Sequence, residues 1–236
     1  ANEMRERLVE LMGEDAAGIN SGTFHGQALR ILRRHIHHLG REPDFTIYDS
    51  DDQLRLVKQS MTDNGIGLTT INPSAIRNEI SRSKDELKKP HQYSEHADGY
   101  FQETVATIYH RYQELLDNAN GVDFGDMVGF CVELFHGFPD VRAHYQDRFR
   151  FILVDEYQDT NRAQYTFVRD LAAAHQNICV VGDDDQNIYQ WRGSDVQYIR
   201  DFKDKEWGRY VEERTHFHTA RLRTFHKTFR KRRNVA

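Results

Sequence analysis

The chain has 236 residues, with 32 Lys and Arg against 37 Asp and Glu and a formal net charge of −5. That length can build one good core plus an appended module, and the balance of apolar and charged residues is ordinary for a globular chain. No apolar run approaches the roughly 20 residues of a membrane span and no signal peptide is visible, so a cytoplasmic location is expected.

In chain order, the residues to about Leu11 read as a helix, and a second helix runs from about Thr23, a suitable cap, to Leu39. His35, His37 and His38 fall on this second stretch without a convincing ligand set and read as solvated. From about Arg41 to Gly121 the pattern is helices alone. These are Asp49 to Met61, a helix opened by Asn72 as cap with Pro73 at its first position, and a long one from about Ala97 to Asn118. The segment Asp123 to Phe135 follows, then a strand over Phe149 to Val154, a helix over Arg162 to Ala173 and a strand over Ile178 to Val181. Strand alternating with helix predicts a parallel α/β sheet. Cys131 and Cys179 lie in apolar patterns and read as buried thiols.

Two strand ends carry the chemistry. Phe151-Ile152-Leu153-Val154 runs straight into Asp155 and Glu156, the pattern of a central strand covered on both faces and ending in acids. Ligands of parallel sheets bind just beyond such carboxyl ends. A nucleotide site can use one acid to hold Mg²⁺, directly or through water, and a neighbouring acid or amide to orient or deprotonate the attacking water. Ile178-Cys179-Val180-Val181-Gly182 is a second buried strand, and it leads into Asp183-Asp184-Asp185-Gln186-Asn187-Ile188-Tyr189-Gln190-Trp191-Arg192-Gly193. Two aromatics and an arginine at that spacing invite a stacking partner, because large aromatics are costly to leave in water.

The run Asp155 to Asn161 and the run Val181 to Gly193 resemble motifs II and III of the UvrD/Rep/PcrA family of superfamily 1 DNA helicases. Gly22-Thr23-Phe24-His25-Gly26-Gln27-Ala28-Leu29-Arg30-Ile31-Leu32 resembles that family's motif Ib, and Ala1 to Arg7 the tail of its motif Ia. The order matches, and the resemblance covers roughly residues 1 to 205. It implies an α/β fold, a P-loop NTPase (RecA-like) parallel sheet with an inserted all-helical subdomain. Residues 1–41 and 122–204 would form the motor domain, 42–121 the helical insertion, and 205–236 an atypical basic tail. That tail holds ten Lys and Arg against three Glu where the family continues into a further strand and an Asn-Tyr-Arg motif. Nucleic-acid binding and an altered reading frame both fit such a change.

The chain holds no Gly-x-x-x-x-Gly-Lys-Ser/Thr phosphate loop. Gly13-Glu14-Asp15-Ala16-Ala17-Gly18 has the glycine spacing but lacks the Lys-Ser/Thr and is acidic where phosphate must approach. Family members carry that loop ahead of motif Ia, so the resemblance implies a motor domain incomplete at its N-terminus, without hydrolytic activity by itself.

By resemblance the cofactors are ATP and Mg²⁺, with Asp155 on the metal, Glu156 activating water, and Gln158 and Gln186 near the nucleotide. Tyr189 and Trp191 would stack on unpaired bases, and Thr23, His25 and Arg192 would touch the strand's backbone. The implied function is ATP-driven 3′ to 5′ translocation on single-stranded DNA with unwinding at single-strand/duplex junctions. The alternatives are an inactive nucleic-acid-binding remnant and the helicase part of a RecB-like helicase-nuclease.

Overall fold

The structure, a computed structural model, describes residues 2–182 and 209–212. These fall into two compact units. The first holds the described residues through Tyr145 together with Arg162–Leu171, and the second holds Gln146–Asn161 together with the described residues from Ala172 onward.

The first unit opens with α1, Asn2–Met12, and a 3₁₀ turn, Gly13–Gly18. Helix α2, Phe24–His35, begins where expected: Thr23 is extended, and its side-chain oxygen accepts a hydrogen bond from the Gly26 N–H at 3.1 Å. Ala28, Ile31 and Leu32 share the buried face of α2, the i, i+3, i+4 pattern of an amphipathic helix. Its expected continuation to Leu39 tightens into a 3₁₀ turn, Ile36–Leu39, closed by Gly40 at φ +74°.

The expectation of helices alone between Arg41 and Gly121 does not hold. β1, Thr46–Tyr48, pairs in parallel with β2, Gly121–Asp123, in the register Thr46 to Gly121. Three-residue strands carry too few positions for a period-2 pattern, and each needs a partner distant in sequence. Between them lie α3, Ser50–Asp63, capped by Asp49 in a box with Asp52, and α4, Pro73–Asp85, capped by Asn72. Helices α5, Pro90–Ser94, and α6, Tyr100–Asn118, complete the run. These four helices bury a shared core that includes Val57, Met61, Ile76, Ile80, Val105, Ile108, Tyr109, Tyr112 and Leu116.

Against that core sits a buried ionic cluster. Lys84, at the end of α4, places its Nζ 2.7 Å from Asp123 Oδ2 and 2.8 Å from Asp126 Oδ1. The Tyr112 hydroxyl donates to the same Asp123 oxygen at 2.7 Å. The other Asp123 oxygen accepts the Asp126 N–H at 2.9 Å, capping α7, Phe124–Gly137. Burial pulls the Lys84 pKa down, but Asp123 and Asp126 together outweigh it and hold the ammonium charged. A Cβ on Gly125 would lie 2.8 Å from Lys84 Cβ, so glycine is what lets the start of α7 approach the lysine. After α7 come α8, Pro139–Arg148, and α9, Arg162–Ala172. Phe167 of α9 stacks on Phe135 of α7 with centroids 5.7 Å apart. Cys131 is buried as expected, its thiol donating to the Ala28 carbonyl at 3.6 Å.

The second unit contains three parallel strands in the order β3-β4-β5. β4, Ile178–Gly182, is buried along most of its length, as its unbroken apolar run predicts, and Cys179 is buried within it. β3 is shorter than expected, Ile152–Val154, and covered on one face only: Val154 is buried while Leu153 is 63 % exposed. Among the described residues β3 pairs with β4 alone, so the expectation of a strand covered on both faces fails there. β5, Arg209–Glu212, corrects a second expectation, since part of the basic tail is a strand aligned with Cys179–Gly182. Its charged residues hid a backbone that supplies a ladder to β4.

Two stability predictions follow from the ionic cluster. Lys84→Met should cost about 3–5 kcal/mol in denaturant unfolding, because it leaves a buried carboxylate without its cation. Burial, followed by the charges of Asp123 and Glu86, raises the Asp85 pKa to about 7. A carboxyl whose folded pKa lies above its unfolded value near 4 is favoured protonated in the fold, so stability falls as pH rises from about 4 through about 7. Asp85→Asn should therefore match the parent near pH 4 and exceed it by roughly 1–3 kcal/mol near pH 8.

Candidate functional site

Beyond Val154 the chain leaves β3 and exposes Asp155 and Glu156 side by side at the carboxyl end of the parallel strand. Glu156 adopts φ +51°, ψ +43°, a left-handed conformation that costs a non-glycine residue on the order of 1 kcal/mol. Its N–H is accepted by Asp155 Oδ1 at 3.1 Å, and its carbonyl accepts the Asp159 N–H at 3.0 Å, starting the 3₁₀ turn Tyr157–Asp159. The sharp turn reverses the chain and leaves both carboxylates facing solvent.

Gln158 lies behind them, only 2 % exposed, and its Nε2 donates to Glu156 Oε2 at 2.5 Å. It orients the carboxylate from below. The end of β4 closes this arrangement: a Cβ on Gly182 would lie 2.8 Å from Gln158 Oε1, 3.4 Å from Gln158 N and 3.5 Å from Tyr157 N. Glycine at 182 is thus what allows strand and turn to meet. Burial, then the neighbouring Glu156 charge, raises the Asp159 pKa. Among the described residues the buried Asp159 Oδ1 and Thr160 Oγ1 have no hydrogen-bond partner.

The donor chemistry here fits Mg²⁺, a hard cation that takes one or two carboxylates and fills its remaining positions with water and phosphate oxygens. Among the described residues no three of His, Cys, Asp and Glu are placed to hold a metal ion. Gln186, Tyr189, Trp191 and Arg192 lie outside the described residues.

A second constellation occupies the start of α2, in the first unit. Thr23 is exposed; its oxygen accepts the cap bond, which leaves the hydroxyl proton free to donate outward. His25 packs edge-on to Phe124, centroids 5.7 Å apart at 89°, and its imidazole is hydrogen-bonded to the Phe124 backbone. Burial lowers the His25 pKa, so the ring is neutral at neutral pH. Phe124 itself is 43 % exposed, a large apolar ring open to solvent beside a threonine and a histidine. Sequence reasoning missed it because Phe124 shares the i, i+3, i+4, i+7 stripe with Met127, Val128 and Cys131, which are buried. Its place in the first turn of α7 leaves it uncovered all the same.

Residues 1–206 match the family model described as the UvrD/REP helicase N-terminal domain. The chain is 42 % identical over 203 residues to the ATP-dependent DNA helicase PcrA of Bacillus subtilis strain 168, covering 86 % of this chain and 28 % of the relative. It is 43 % identical over 203 residues to the protein of the same name from Staphylococcus aureus strain Mu50, with the same coverage. The like-named protein of Staphylococcus epidermidis is 41 % identical over 217 residues, 92 % of this chain and 29 % of that relative. The chain thus spans under a third of the length of these relatives.

Gly182→Ala tests the closure of strand on turn. It should destabilise the chain by about 1–3 kcal/mol in denaturant unfolding, the cost of forcing a methyl into packed surroundings. Adding Gln158→Ala should recover part of that loss by removing the atom the methyl meets.

Proposed function

Since the chain belongs to the UvrD/Rep family of DNA helicases, we propose that it forms the N-terminal motor region of an enzyme that couples ATP hydrolysis to 3′ to 5′ movement along single-stranded DNA, unwinding duplex at the junction. The observation that carries this reading is the exposed Asp155–Glu156 pair at the end of a parallel strand, with Glu156 held by the buried Gln158 amide. Asp155 would hold Mg²⁺, which when bound neutralises charge on the transferred phosphate. Glu156 would take the proton of the attacking water, and Gln158, fixed between Glu156 and Gly182, would set its direction. Gln186 would report the state of the nucleotide.

Thr23, His25 and Phe124 form the DNA face of the first unit in this reading, with Tyr189, Trp191 and Arg192 as further contacts. A neutral imidazole and a hydroxyl suit a phosphate oxygen, and an exposed phenyl ring suits an unpaired base. Residues 42–121 would be the inserted helical subdomain, a role supported by the core that α3 to α6 share. No helix among the described residues is long and apolar enough to cross a membrane.

The absence of a Gly-x-x-x-x-Gly-Lys-Ser/Thr sequence from the 236 residues favours a second statement about this polypeptide alone: it binds DNA without turning over ATP. Two measurements check the pair of statements. Titration of a fluorescent single-stranded oligonucleotide should show binding without sequence preference, weakened by about 1–3 kcal/mol in Phe124→Ala. Steady-state phosphate release in the presence of that oligonucleotide should stay at background, and turnover that disappears in Glu156→Gln would contradict the second statement.

A further inference from the structure

At the far end of α2 the fold gathers four imidazoles that the sites above do not use. His37 and His38 of the 3₁₀ turn are 4.2 Å apart between ring centroids, His35 lies 6.1 Å from His38 and 6.5 Å from His37, and His144 of α8 joins from 6.5 Å. His37, His38 and His144 are exposed and His35 is half-buried, set edge-on against Tyr145. The expectation that these histidines are solvated holds for His37 and His38, while His35 is half-buried.

The surroundings are cationic. Arg34 is exposed, whereas Arg33 is committed to the carbonyls of Pro43 and Phe45 and to the Phe45 ring. Burial, then the charges of His38, His144, His37 and Arg34, lowers the His35 pKa. Among the described residues none of these five side chains has an acidic partner within ion-pair reach. The ionisable groups of α7 are engaged elsewhere: Asp126 with Lys84, Glu133 with Lys89 and His136 with Asp170. On α8 the remaining charges before Tyr145 are Asp140 and Arg142, and Phe138 packs on the His38 ring at 4.7 Å.

Like charges crowded without a counterion are relieved by an anion. The negative end of the α2 dipole lies here and favours positive charge beside it, and imidazole is the side chain that takes up a proton just below neutral pH. Among the described residues no metal-holding group exists, which favours an anion over a cation. The twelve residues of α2 place the patch about 18 Å from the Thr23 end of the same helix.

We propose that Arg34, His35, His37, His38 and His144 form a second, proton-gated contact for the DNA backbone, reached by a strand already held at Thr23, His25 and Phe124. The inference rests on the DNA-binding reading given above. Bound phosphates favour protonated imidazoles, so by linkage the affinity rises as pH falls.

The test uses the 236-residue chain and a fluorescent single-stranded oligonucleotide of about 20 nucleotides, long enough to span both contacts. Because any histidine can take up a proton in acid, two triple variants are compared: His37→Gln/His38→Gln/His144→Gln in the patch, and His91→Gln/His96→Gln/His110→Gln on and between α5 and α6. The parent and the second variant should bind about tenfold more tightly near pH 5.8 than near pH 7.8, and the patch variant should lose most of that gain. Equal gains in the two triple variants would overturn the proposal. Phe124→Ala separates the underlying reading, since it should weaken binding at both pH values alike. A parent that fails to bind at either pH would overturn both.

Discussion

The Asp123 carboxylate is the point on which the first unit turns. One of its oxygens caps α7, and the other takes bonds from Lys84 of α4 and Tyr112 of α6. A buried carboxylate in this position is tolerable only because a cation and two further donors surround it. The next residue is Phe124, so the arrangement that satisfies Asp123 also fixes the start of the helix that presents the phenyl ring to His25. Helical core, ionic cluster and candidate DNA face are consecutive links of one chain of contacts.

The acids of the second unit show the opposite use of the same chemistry. Asp155 and Glu156 stand exposed at a strand end, where a hard cation can reach them. Asp123 and Asp126 stand in the interior, where burial and then the Asp123 charge push Asp126 up to about 6 even beside a lysine. Residue type does not separate these roles; position relative to the core does.

That distinction explains what the sequence made legible. Local signals were readable: Thr23, Asp49 and Asn72 cap the helices they precede, because a cap is decided within four residues. The acidic turn after Val154 was readable because an apolar run ending in two acids has few uses. Lys84 was not, since it sits in the polar stretch Arg82-Ser83-Lys84-Asp85-Glu86-Leu87, and only the packing of α4 against β2 and α7 takes it out of water. The pairing of β1 with β2, the exposure of Phe124 and the meeting of His144 with His35 likewise depend on segments distant in sequence. β5 was hidden for another reason: composition spoke for a tail, whereas a strand needs only a free ladder beside it.

The most direct test of the link from Asp123 to the DNA face is a double-mutant cycle read as single-stranded oligonucleotide affinity. Tyr112→Phe removes one donor to Asp123 without emptying the core, and Phe124→Ala removes the ring that Asp123 is held to position. If the buried cluster sets the ring, the two substitutions overlap, and the double variant binds more tightly than additivity predicts by about 0.5–1 kcal/mol. Strict additivity, with Tyr112→Phe weakening DNA binding equally whether or not Phe124 is present, would contradict it.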